Sequence, residues 1–173
     1  MMKKFFSSIA SITLVALVGM MVAGLAQAAT DSVSATVTVM YSAVSLNQET
    51  FPYGSMSSNV ASSTLTLWSG AGIIATNNGS TSQFDIYGAS TANYTLAADN
   101  TGNNYIHKFC EDTTNLCTTP PTNYTALTTS PATLDASVAN TETVAFQLQI
   151  TTPATPTVFT QQSAAVTIQA SAI

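Results

Sequence analysis

From Val33 onward, apolar and polar residues alternate with a period of two along most of the chain. That spacing places successive side chains on opposite faces of a β-strand. Val33, Ala35, Val37 and Val39 share one face of the first such segment, with Ser34, Thr36 and Thr38 opposite. Leu65 and Leu67 alternate with Thr64, Thr66 and Trp68, Phe84 and Ile86 flank Asp85, and Tyr94 and Leu96 flank Thr95. Tyr105, His107 and Phe109 oppose Ile106 and Lys108, while Val144, Phe146, Leu148 and Ile150 alternate with Ala145, Gln147 and Gln149. The last segment repeats the pattern through Ala164, Val166, Ile168 and Ala170. Turn signals stand between the segments: Phe51-Pro52-Tyr53-Gly54, Asn77-Asn78-Gly79-Ser80, Asp99-Asn100-Thr101-Gly102, Pro120-Pro121 and Pro153-Ala154-Thr155-Pro156.

About seven to nine short strands separated by turns predict an all-β fold, an antiparallel immunoglobulin-like or jelly-roll β-sandwich. Two sheets then pack their apolar faces together and leave Thr, Ser and Gln in water. The expected core is Val37, Val39, Leu65, Leu67, Phe84, Ile86, Leu96, Phe146, Leu148, Val166 and Ile168.

The N-terminus breaks the alternation. Met1-Met2-Lys3-Lys4 is a short positive region, Ile9 to Leu25 is mostly apolar, and Ala26-Gln27-Ala28 fits a small-x-small cleavage site. Residues 1–28 are therefore expected to be a signal peptide with helical character, and residues 29–173 a single sandwich domain, secreted or held at the cell surface. No lipobox cysteine stands at the cleavage point and no apolar segment closes the chain, so no membrane association is expected after cleavage.

Removal of the signal leaves one lysine (Lys108), no arginine and one histidine (His107) against eight acids, a formal charge of −7. So few basic groups argue against nucleic acid as a partner. They also leave little for acid–base or phosphate chemistry, which draws on His, Lys and Arg. His107 stands alone, no Gly-x-Ser-x-Gly elbow accompanies a serine, and a cupredoxin-type copper site lacks its second histidine. No catalytic residue, cofactor or metal ligand is assigned. Asp99-Asn100-Thr101-Gly102-Asn103-Asn104 only loosely resembles a calcium loop and reads as an Asx-type turn. Cys110 and Cys117, the two cysteines, are expected to form a disulfide across a short loop. Asn78, Asn93 and Asn123 each open a glycosylation sequon.

The order of features resembles secreted immunoglobulin-like or jelly-roll subunits of bacterial and archaeal surface fibres. These features are an export signal, the alternating strand Ser34-Ala35-Thr36-Val37-Thr38-Val39, the turn Phe51-Pro52-Tyr53-Gly54, and Asn-Asn-Gly-Ser at 77–80. It is similar to the TasA/camelysin family and to the spore-coat-U type of chaperone–usher pilin. The chain departs from the latter in lacking an early strand cysteine and in carrying Ala172 where pilins have a penultimate aromatic residue. The resemblance implies a structural subunit of a fibre, matrix or surface layer that self-associates by β-strand donation, with a self-complemented monomer as the alternative.

The position of Val33, Ala35, Val37 and Val39, directly after the cleavage site, makes that segment the candidate assembly strand. A module binding cell-surface glycan through Trp68 and the tyrosines is the second expectation, and a hydrolase a distant third.

Overall fold

The computed structural model describes residues 34–68, 72–114, 116–118 and 122–173. The expected signal peptide and Val33 lie outside the described residues. The chain divides into Met1–Thr38 and Val39–Ile173. Of the first unit, residues 34–38 are described; they carry no strand and are exposed.

The second unit is an all-β sandwich. Its wider sheet contains β1 (Val44–Leu46), β2 (Ala61–Ser63), β3 (Ile73–Asn77), β5 (Thr95–Leu96), β6 (Asn104–Glu111), β7 (Thr125–Ala126) and β9 (Thr143–Thr151). They run in the order β1-β3-β9-β6-β5, with β2 also on β9 and β7 also on β6. The narrower sheet is β10-β4-β8, from β10 (Val166–Ala172), β4 (Ser82–Gly88) and β8 (Ala132–Val138). Every pairing is antiparallel except the two-residue contact of β5 with β6.

The period-two pattern sets the registers. Phe109 lies opposite Leu148, and Ile73 opposite Phe146, on the inner face of the wide sheet; Ile168 lies opposite Ile86 on the narrow one. These side chains join Phe84, Leu134, Val138 and Val144 in one buried cluster. Each contributes on the order of 1.5–3 kcal/mol through loss of apolar surface to water. Phe84, Ile86, Phe146, Leu148 and Ile168 therefore lie in the core as expected, and Leu96 and Val166 pack at its margin.

Four of the expected core positions differ. Val37 and Val39 are 86% and 79% exposed and belong to no strand, because no neighbouring strand orders them among the described residues. Leu65 and Leu67 do not lie on a strand either: Thr64–Leu67 is one helical turn, α1, which leaves Leu67 exposed and Leu65 half-buried. Ser63 caps this turn, its hydroxyl accepting from the Thr66 N–H at 3.2 Å, a local bond that competes with extended backbone.

The glutamines of β9 also depart from the expected wet face. Gln147 is fully buried and Gln149 nearly so. The Thr64 hydroxyl donates to Gln147 Oε1 at 2.6 Å and accepts from the Leu148 N–H at 2.9 Å. Gln147 Nε2 donates to Asp112 Oδ2 at 2.9 Å. α1 and the chain following β6 thus cover the outer face of β9, and the amide is tolerated there because it is hydrogen-bonded.

The Asn-Asn-Gly-Ser turn locks the start of β1. Asn77, fully buried, donates to the carbonyls of Ser80 and Val138 and accepts from the Gly79 N–H. Ser80 in turn accepts from the Tyr41 N–H through its hydroxyl and donates its own N–H to the Tyr41 carbonyl. Gly79 is required by this approach: a Cβ there would stand 2.5 Å from Tyr41 O and 2.8 Å from Ala43 N. Gly79→Ala should therefore lower stability by about 1–3 kcal/mol. The check is a lower urea midpoint at unchanged m-value; an unaltered midpoint would show that the turn yields freely.

Candidate functional site: a seam between two sheet edges

β1 ends the wide sheet and β10 ends the narrow one. Bonds from Asn78 N–H to Ala43 O and from Asn47 N–H to Ile74 O turn the backbone of Ala43, Ser45 and Asn47 toward β3. By the alternation of a ladder, the N–H and C=O groups of Val44 and Leu46 face the other way. On β10 the Ala172 N–H leaves the sheet to reach Ser42 Oγ at 2.8 Å, whereas Ala165 O accepts from Ala89 N–H on the β4 side. The same alternation points the backbone groups of Val166, Ile168 and Ala170 outward. Among the described residues, the Ala172–Ser42 bond is the one hydrogen bond made across this edge.

The two edges meet at Ser42 and Ala172 and enclose an open cavity of about 100 Å³ near Leu46 and Val166. Its apolar lining comes from both sheets, with Leu46, Ile73, Phe146 and Leu148 on one side and Ala164, Val166 and Ile168 on the other. The exposed Glu49 and Thr50 stand at its mouth. Phe51 and Tyr53, from the chain after β1, close its end. Their rings lie 5.1 Å apart edge to face, and Phe51 meets Trp68 in the same manner at 5.4 Å. Gly54, at φ +74°, supplies the left-handed backbone that ends this turn. Trp68 is thus packed within an aromatic cluster.

His107 lies on the inner face of β6, opposite Ile150, and lines the same cavity. It is 2% exposed. The Tyr53 hydroxyl stands 3.3 Å from its Nε2, and Nδ1 has no hydrogen-bond partner. Burial pushes the imidazole pKa down to about 4, because the charged form loses its hydration. Burial raises the Tyr53 phenol above its ordinary range, and the nearby Tyr124 adds to this. The ring serves here as a neutral packing element with one polar contact.

The expected disulfide is present. Cys110, at the end of β6, is bonded to Cys117, with Cα atoms 5.9 Å apart. The loop it closes carries Asp112, whose second carboxylate oxygen accepts from the Cys117 N–H at 3.0 Å. By loop-entropy reasoning such a short bridge contributes on the order of 2–3 kcal/mol. The Tyr124 hydroxyl is buried without a partner nearby, its pKa raised to about 12 by burial and by the Asp112 charge.

Of the candidate assembly strand, Val33 lies outside the described residues, and Ala35, Val37 and Val39 are exposed in extended chain without strand pairing. Asp99 forms the expected Asx-type turn, accepting from both the N–H and hydroxyl of Thr101 and from Asn104. These bonds hold its carboxyl below the usual range. Among the described residues no three of His, Cys, Asp and Glu converge as a metal site would require, and no helix is long and apolar enough to cross a membrane. Asn78, Asn93 and Asn123 are all exposed.

The seam itself was not apparent from the sequence. Val44 and Leu46 form too short an alternation to stand out, and Tyr53 reads as a turn residue rather than as the partner of His107. Compared with protein-family models, with curated proteins and with solved structures, the chain matches none.

The buried ring dictates an acid response. Unfolded, His107 titrates near 6.5; folded, near 4. Between those values the unfolded chain binds the additional proton, so stability falls as pH drops through the window and levels off below it. The loss attributable to this residue is about 3 kcal/mol. His107→Phe should flatten the stability profile between pH 6.5 and 4 relative to the parent chain, measured by urea unfolding; parallel profiles would assign the acid response elsewhere.

Proposed function

We propose that this chain is an exported structural subunit of a cell-surface fibre, matrix or surface layer, assembling with copies of itself by β-strand donation, with residues 33–39 as the donated strand. The observation that carries this reading is the segment's mismatch between pattern and setting. It has the period-two alternation of a half-buried strand, yet Val37 and Val39 are exposed and no strand pairs with residues 34–39 among the described residues. A sequence of this pattern gains ladder hydrogen bonds and apolar burial only when another sheet receives it.

The chemistry of the body supports the same reading. With residues 1–28 removed, one lysine and one buried histidine remain as the nitrogen bases. The exported character rests on the Lys3-Lys4, apolar run and Ala26-Gln27-Ala28 pattern, together with the disulfide, a bond that persists in oxidising compartments.

Negative-stain microscopy of purified residues 29–173 tests the proposal. Filaments or ordered sheets are the expected outcome, with assembly lost when residues 29–39 are deleted. Monodisperse particles of single-chain size at all concentrations would refute the subunit reading, and filaments from the deleted protein would refute the donor.

A further inference from the structure

We infer that the seam between β1 and β10 is the acceptor, and that its occupant is residues 35–39 of a second copy of this chain. The inference rests on the subunit reading above and adds the place where the donated strand is received.

The seam has what an entering strand requires. The backbone groups of Val44 and Leu46 on one side, and of Val166 and Ile168 on the other, face the gap without partners among the described residues. Such edges recruit an extended chain through main-chain bonds. Between them the cavity has an apolar floor of the half-buried Leu46, Ala164 and Val166, lying over the buried Ile73 and Phe146. A strand laid along the gap with Ala35, Val37 and Val39 facing the floor keeps Thr36 and Thr38 in water, so one register satisfies both faces. The segment and the seam are also matched in charge: residues 34–41 carry none, and Glu49 is the one charged residue lining the cavity.

The connection between residues 35–39 and β1 disfavours return of the chain's own segment to its own seam. Returning along β1 would require the chain to reverse within residues 40–43, just ahead of Val44. Tyr41 already commits its N–H and its C=O to Ser80, and its hydroxyl donates to Asn78 O at 2.9 Å. Neither Met nor Tyr favours the positive φ that tight hairpin turns demand. The Ser42–Ala172 bond further closes the end nearest that turn. A neighbour's segment enters instead from the open end, past Leu46 and Val166.

Cysteine cross-linking tests the placement, since Cys110 and Cys117 are already bonded to each other. Val37→Cys protein is mixed with Val166→Cys protein under mild oxidation, and with Thr133→Cys protein as a control on β8, the far edge of the narrow sheet. The expected result is a linked peptide pair joining positions 37 and 166 and no excess of 37 with 133. If Val166→Cys fails to fold, Thr36→Cys with Thr167→Cys, both on the water-facing side, replaces the pair. In parallel, Val37→Asp, at an exposed position, should leave the circular dichroism unchanged and reduce the assembled fraction about tenfold or more, because the seam would have to bury an unpaired charge. Equal linkage to both positions, or assembly of Val37→Asp at the parent level, overturns the acceptor. Assembly of the parent chain without a 37–166 link removes this inference and leaves the subunit reading standing; a parent chain that remains monomeric removes both.

Discussion

The two sheets are unequal, and most of the architecture follows from that inequality. A three-stranded sheet cannot cover the inner face of one built from seven strand segments, so apolar surface near β1 is left for other chain to shield. The chain after β1 does this with Phe51 and Tyr53, whose edge-to-face packing extends through Trp68 on one side and His107 on the other. Burial of the imidazole is a by-product of this patch. The ring fills space at the margin of the core, where its desolvation is offset by a single contact with Tyr53.

The outer face of the wide sheet solves a different problem. Gln147 sits in the middle of β9 on the side that a simple sandwich leaves in water, yet it is sealed beneath α1 and the disulfide loop. Thr64, Gln147, Asp112 and the Cys117 N–H form a connected series of hydrogen bonds. A buried polar series of this kind holds only when its members are satisfied. The disulfide therefore does more than close a short loop: it fixes Asp112 where the amide needs an acceptor.

The sequence conveyed the fold class through its period-two segments, and strands β4, β6, β9 and β10 occur where Phe84, Tyr105–Phe109, Val144–Ile150 and Val166–Ala170 alternate. It conveyed the disulfide by simple inventory. It misplaced Leu65 and Leu67, because one serine-capped turn outweighs an alternation of only two leucines. Likewise, polarity alone cannot distinguish a wet glutamine from one covered by a distant loop, since the covering contact with Thr64 spans 83 positions in sequence. The seam was hidden for a related reason: it is defined by which strands lack neighbours, a property of topology that no local pattern encodes.

The clamp formed by the Asn-Asn-Gly-Ser turn has a mechanical meaning. Tension applied to the chain before Tyr41 passes first to the paired bonds between Tyr41 and Ser80, then to the ladder joining β1 to β3. When the pull follows the strand axis, these bonds are loaded together in shear rather than opened one after another. Under force the lifetime of the unit is set by the rate of breaking that group, not by its equilibrium stability. Gly79, which lets the two backbones approach so closely, is thus the residue on which the tensile strength of the N-terminal attachment depends.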